Sequence, residues 1–113
     1  MLDWNAYRDK LGAGVREFGR FSPDTLAGYL TLSGAGAKTA QLDAKTRELI
    51  ALAVAVALRC DGCITVHVAA ARKHGATREE IAEALGVAIS INAGAALVYS
   101  ARTIDALAAL TET

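Results

Sequence analysis

Glu48, Cys60, Cys63 and His67 stand in the order E-x11-C-x2-C-x3-H. The two cysteines are the only ones in the chain, and one of its two histidines follows four residues after the second. An α-helix turns about 100° per residue, which places Cys60 and Cys63 about 60° apart around its axis and His67 about 40° from Cys63. One helical face therefore carries all three. A thiol pair within bonding reach, with an imidazole one turn below, is what dithiol redox chemistry needs, so a redox enzyme is the first expectation.

A thiol near the first turn of a helix feels unpaired backbone N–H groups and the positive end of the helix dipole, both of which favour thiolate. His67, about one turn or ~6 Å further along the same face, can act as base or proton relay toward Cys63. Glu48 can hold the imidazole in one tautomer or pass a proton. Glu48 nevertheless precedes Cys60 by twelve residues, or ~18 Å along a straight helix. The two can meet only through a chain reversal. In a tight hairpin Glu48 lies ~18 Å back from the turn and His67 ~10 Å back, a gap that obliquely crossing helices or a second subunit would close.

The elements that must position these residues read as helices throughout. Tyr7, Leu11, Val15 and Phe18 recur at helical spacing and predict a first amphipathic helix over roughly residues 3 to 18. Ser22-Pro23-Asp24 reads as an N-cap followed by proline at the first helical position, opening a second helix that ends by Gly34-Ala35-Gly36. That glycine pair follows a helix rather than a strand, so it is assigned to a connection and not to a phosphate loop. Asp43 caps a third helix, apolar on every side from Leu49 to Leu58, and a helix apolar all round must be buried all round. In so small a chain that burial points to a neighbouring subunit. Arg59-Cys60-Asp61-Gly62 breaks the run, and the cysteines open a fourth helix ending at His74-Gly75. Thr77 and Glu80 form a capping box for a fifth helix carrying Ile81, Leu85 and Ile89. Asn92-Ala93-Gly94 predicts a kink or junction before a last helix over about residues 95 to 110. The fold class is all-α, about six helices, with an antiparallel helical hairpin around the cysteines.

At 113 residues the chain is read as a single domain, residues 1–113, with a modest core. It is 53% hydrophobic but only 5% aromatic, alanine supplying much of the difference. Small side chains bury little surface each, so oligomerisation is the expected remedy. Twelve basic and twelve acidic residues cancel with no one-sided basic stretch, which removes the electrostatic support for nucleic-acid binding. The longest uninterrupted apolar run, Leu49 to Leu58, is far short of the ~20 residues of a membrane span. Met1-Leu2-Asp3-Trp4 lacks the basic and apolar regions of a signal peptide. The expectation is a soluble cytoplasmic protein, in a reducing compartment where a close cysteine pair is catalytic or metal-binding more often than a permanent staple.

The pattern resembles the AhpD-like alkylhydroperoxidases of the carboxymuconolactone decarboxylase superfamily. The likeness is strongest from Thr46-Arg47-Glu48-Leu49-Ile50 through Cys60-Asp61-Gly62-Cys63-Ile64 and His67 to His74-Gly75-Ala76-Thr77, and continues more loosely through Glu80-Ile81 to about Leu107. The resemblance implies an all-helical fold assembled as homotrimers or homohexamers and a hydroperoxide-reducing cycle run by the cysteine pair. By that resemblance Cys63 is the peroxidatic thiolate that becomes a sulfenic acid. Cys60 is the proton donor and resolving thiol that closes the Cys60–Cys63 disulfide, and His67 and Glu48 form the proton relay. A dithiol or lipoyl-bearing protein is the implied reductant. No metal or organic cofactor is required, because a second thiol three residues away traps the sulfenic acid before further oxidation.

Other readings of the same residues compete. The cysteines could be buried structural thiols, although Asp61 and Gly62 between them suit an accessible turn better than a core. Zinc on C-x2-C-x3-H would need a fourth ligand, and His74 lies a further ~10 Å along the helix. Beside Gly75, His74 most simply serves a helix C-terminus. Tyr99 and Arg102 read as solvated or interfacial rather than as pocket residues. Two further functional classes stay open: a lactone decarboxylase relying on histidine, and a non-catalytic redox-sensing or zinc-binding oligomer.

Overall fold

The computed structural model describes residues 1–110. Among them are five α-helices and no strand: α1 (Trp4–Phe21), α2 (Pro23–Thr39), α3 (Ala44–Leu58), α4 (Asp61–Lys73) and α5 (Arg78–Ala108). The all-α class is as the sequence predicts. Five helices rather than about six are present because the junction expected at Asn92-Ala93-Gly94 does not form. The Asn92 side chain instead donates to the Ala88 carbonyl at 2.7 Å, a bond made within the helix. Glycine and asparagine cost a helix interior about 1 kcal/mol or less each, and cooperative propagation along the 31 residues of α5 outweighs that.

Each helix start carries its own chemistry. Asp3 accepts from the Ala6 N–H at 3.1 Å, Asp43 from Thr46 N–H at 2.8 Å, and Thr77 from Glu80 N–H at 3.0 Å. Glu80 completes the capping box by accepting from the Thr77 N–H at 2.9 Å. Pro23 takes the first position of α2, but Ser22 caps it with no side-chain bond to the backbone and spends its hydroxyl on Thr25.

α2 also runs on past the predicted stop. It passes through Gly34-Ala35-Gly36 to Thr39 and ends where Ala40 adopts φ 52°. A methyl group at position 36 would stand 3.1 Å from Arg47 Cδ, so Gly36 serves close approach inside the helix rather than a connection.

α3 and α4 form the predicted antiparallel hairpin, and the first turns of α5 close over its open end. Leu52, Ala71 and Ala76 are the buried cluster, with Leu49, Val68 and Ile81 packed against it. An ion pair at 2.8 Å from Lys45 Nζ to Glu80 ties the start of α3 to the start of α5. α1 lies on α4, and α2 lies on α1, where Gly19 and Leu26 are in close contact.

This core is small for the chain. The radius of gyration is 18.9 Å, against about 13 Å for a compact chain of this length. α3 is not buried all round within one chain: Leu52 and Ala55 are, while Val54 is 50% and Leu58 71% exposed. All of residues 89–110 are exposed, including Leu97, Tyr99, Ile104 and Leu107. By length and composition alone α5 also meets the requirement for crossing a membrane. No uninterrupted apolar run signals this, because Ser90, Asn92 and Ser100 punctuate the stretch.

Candidate functional site: a dithiol turn backed by a histidine and a glutamate

The site begins at the end of α3. Arg59 takes φ 55°, and its N–H and that of Cys60 return to Val56 and Ala55 at 3.1 and 3.0 Å. This paired closure satisfies the last carbonyls of α3 and reverses the chain within two residues. Cys60 emerges in extended backbone as the N-cap of α4.

Cys60 caps with sulfur. Its Sγ accepts from the Cys63 N–H at 3.1 Å, the place that serine or aspartate fills in other helices. Cys60 and Cys63 are joined as a disulfide with Cα atoms 5.2 Å apart, inside the usual span of about 4.4–6.8 Å. Both are half-buried. On reduction, a sulfur at the N-cap meets a backbone N–H and the positive end of the α4 dipole, and each favours its charged form.

His67 follows one turn beyond Cys63 on the same helix. Its Nδ1 donates to Glu48 Oε2 at 2.7 Å. Side-chain exposures of 30% for His67 and 23% for Glu48 leave the pair screened but open to solvent. A carboxylate oxygen only accepts, so Nδ1 carries hydrogen and the neutral ring keeps its lone pair on Nε2. The chain reversal that Glu48 required is thus supplied by the α3–α4 hairpin inside a single chain, with no second subunit. All four residues named from the sequence are carried by this hairpin: Glu48 on α3, Cys60 in the turn, and Cys63 and His67 on α4.

The remaining sequence candidates fall outside it. His74 is the exposed C-cap of α4, its N–H bonded to the Ala70 carbonyl at 3.0 Å. Tyr99 and Arg102 pair with each other on exposed α5, the guanidinium carbon 5.0 Å from the ring centroid. Among the described residues no group of three or more His, Cys, Asp or Glu is placed to hold a metal ion.

One contribution was not legible as such. α1 lies against the dithiol turn: a methyl group at position 62 would stand 2.9 Å from Leu11 Cδ2, and the buried Thr65 hydroxyl donates to the Trp4 carbonyl at 3.3 Å. The amphipathic stripe through Tyr7 and Leu11 announced a buried face, but nothing in its spacing named the surface it would cover.

Comparison with known proteins places this geometry. A protein of Haemophilus influenzae described as uncharacterized is 47% identical over 104 residues, covering 92% of each chain. The Paracoccus denitrificans "uncharacterized protein 4 in cox locus" is 40% identical over 98 residues, covering 87% of this chain and 88% of that one. The apo crystal structure of a carboxymuconolactone decarboxylase family protein from Legionella pneumophila superposes with a TM-score of 0.74 at 37% identity, over 91% of this chain and 92% of the other. The model of the carboxymuconolactone decarboxylase family matches residues 23–111. From α2 onward the match takes in every residue of the dithiol turn and its histidine–glutamate pair, and the chain belongs to the carboxymuconolactone decarboxylase family.

Proposed function

We propose that the protein is a thiol-dependent hydroperoxide reductase in which Cys60 and Cys63 cycle between dithiol and disulfide. The observation that carries this reading is the Cys60–Cys63 disulfide at the head of the helix that also bears the Glu48-anchored His67. The Cys63 thiolate attacks the terminal oxygen of the hydroperoxide, the O–O bond breaks, and the departing alkoxide takes a proton to leave as an alcohol. Cys63 is then a sulfenic acid. Cys60 supplies that proton, the thiolate so formed attacks the sulfenic sulfur, the S–S bond forms, and the hydroxyl leaves as water with a proton from His67. His67 Nε2 accepts the Cys63 proton at the outset and holds it until that step, while Glu48 stabilises the imidazolium in between. A dithiol or lipoyl-bearing protein restores the thiols.

Thiol titration tests this directly. Reduced protein given one equivalent of an organic hydroperoxide loses both thiols, and Cys63→Ser stops the loss at its first step. Survival of both thiols in the wild type would refute the reading. The histidine–glutamate pair by itself would also serve proton transfer in a lactone decarboxylase, but decarboxylation gives the dithiol no task. Decarboxylase activity that persists after replacing both cysteines by serine would favour that second reading.

The protein is read as a homo-oligomer, a trimer or hexamer. The exposed apolar length of α5 and the outer face of α3 are surfaces that a second copy would cover.

A further inference from the structure

An open groove of about 450 Å³ runs between α4 and α5, walled by Val68 and Arg72 from α4 and by Arg78, Ile81, Ala82 and Leu85 from α5. Round the α4 axis Val68 and Arg72 stand about 140° and 180° from Cys63, so the groove belongs to a different face of that helix from the dithiol site. Helical periodicity accounts for the α5 wall. Ile81, Ala82 and Leu85 all lie within about 60° of Arg78 round the axis, while Glu79 and Glu83 are turned about 100° and 140° away. Glu80 is held by Lys45.

The groove has two unlike ends. α4 stops at Lys73 and α5 starts at Arg78, so Arg72 and Arg78 flank the short connection between the helices. Val68, one turn back along α4, and Ile81 and Leu85, about one and two turns on along α5, carry the groove away from that connection. These three are half-buried, and Val68 and Ile81 rest on the buried cluster of Leu52, Ala71 and Ala76, so the core holds the apolar wall in place. From Arg78 to Leu85 the wall extends about 10 Å.

Neither arginine is neutralised by an ion pair among the described residues. Arg72 Nη1 donates to the Ala76 carbonyl at 2.9 Å, which fixes the guanidinium beside the connection and leaves its other N–H groups to spare. Two uncompensated guanidiniums at one end of an apolar groove complement a molecule that is anionic at its head and apolar along its length. A planar carboxylate matches the guanidinium fork, and a few polar groups set in an apolar pocket are what fixes a ligand's orientation.

We propose that this groove binds a free aliphatic carboxylate of medium chain length, its head group between Arg72 and Arg78 and its chain along Val68, Ile81 and Leu85. The site stands apart from the proposed peroxide chemistry and does not depend on it. Its ligand bridges α4, the helix of Cys63 and His67, to α5.

Calorimetric titration of the full-length protein at neutral pH tests this, with decanoate below its micellar concentration, decanol and butyrate as probes. Wild type, Arg78→Gln and Arg72→Gln are compared, with helix content followed by circular dichroism. Decanoate is expected to bind the wild type, and each arginine variant to weaken it about tenfold, as loss of a hydrogen bond to a charged group does. Decanol, with the same chain and no charge, binds about tenfold more weakly than decanoate and equally to all three proteins. Butyrate, which leaves the apolar wall uncovered, binds at least about a hundredfold more weakly. Arg72→Gln gives up the bond to Ala76, so if its helix content falls Arg78→Gln decides. Equal affinity for decanoate and decanol, or decanoate affinity unmoved by Arg78→Gln, would overturn the site. So would the absence of decanoate binding, and a sedimentation coefficient changed by Arg78→Gln would then assign the groove to a second copy of the chain.

Discussion

Glu48 Oε2 accepts the hydrogen of His67 Nδ1 at 2.7 Å across the α3–α4 hairpin. The bond joins residues nineteen apart in sequence and is made within one chain. It fixes which imidazole nitrogen bears the proton and leaves Nε2 free to receive one.

Glu48→Gln keeps an acceptor for the Nδ1 hydrogen but removes the charge that favours the imidazolium. Hydroperoxide turnover should fall by about 10- to 100-fold, the usual effect of removing the partner that orients and charges an acting histidine. Glu48→Ala should fall further, because the ring then loses its orientation as well. Stopped-flow peroxide consumption over a pH series checks this. Equal rates for wild type and both variants would show that the pair is structural only.

Cys60 carries a structural task beside its proposed chemical one, because its Sγ caps α4. Serine is a better N-cap than cysteine and alanine offers none. Cys60→Ala should therefore cost about 1 kcal/mol of stability relative to Cys60→Ser, while both variants lose disulfide formation alike. Chemical denaturation of the two, under reducing conditions, separates the cap from the chemistry. Identical midpoints would mean that the capping bond contributes nothing measurable.

How much of this was readable beforehand depended on whether the cause was local. The cap at Asp43, the Thr77–Glu80 box and the stop at Arg59 to Gly62 are written in neighbouring residues, and each is found where the sequence puts it. The dithiol and the histidine share a face by helical periodicity alone. The meeting of Glu48 with His67 depends on how two helices cross, and spacing leaves that open. The predicted stops at Gly34-Gly36 and Asn92-Gly94 failed for a different reason. Glycine lowers helix preference only modestly, and in both places the surrounding helix is long enough to carry the weak residues through. The seat of α1 on Gly62 was invisible, since an absent side chain gives no sign of what occupies its space.

The Lys45–Glu80 pair makes stability depend on pH at both ends. The Lys45 ammonium and the Thr77 backbone N–H hold the Glu80 carboxyl below its ordinary value of 4.5, and the Glu80 carboxylate holds Lys45 above its ordinary 10.5. The Glu80 contribution is thus complete above about pH 4.5 and lost as pH falls through its lowered value; that of Lys45 is complete below about pH 10.5 and lost as pH rises through its raised one. Both side chains are more than a third exposed, at 35% for Lys45 and 38% for Glu80, and solvent screening keeps the effect modest. Glu80→Gln, which retains a carbonyl for the Thr77 N–H, should flatten the acid limb of a thermal-stability profile between neutral pH and pH 3 or so, with little change elsewhere. An acid limb unchanged from wild type would show that other carboxylates set it.

Ala40 ends α2 at φ 52°, a left-handed conformation that costs a residue bearing a Cβ about 1 kcal/mol. The position is exposed and remote in sequence from the dithiol turn. Ala40→Gly should stabilise the chain by about 0.5–1 kcal/mol, the relief of the strained cap less the extra freedom glycine gains when unfolded. A melting temperature raised by several degrees or so, with peroxide turnover untouched, is the expected result. A lowered one would mean that the unfolded-state term dominates.

α5 leaves the core near Ala88, after which every described residue is exposed, with Leu97 73%, Val98 61% and Ile104 64% accessible. A monomer with that surface would be poorly soluble, and two environments could cover it: another copy of the chain or a lipid bilayer. The loose core and the exposed outer face of α3 favour the copy, since a bilayer would cover α5 alone. Sedimentation should find the wild type at a multiple of its 11.7 kDa chain mass without detergent. Leu97→Asp combined with Ile104→Asp should shift the distribution toward single chains, because a charge at each site would be buried unpaired at an interface. Wild-type protein that sediments as one chain, or that stays dispersed only in detergent, would exclude the homo-oligomer.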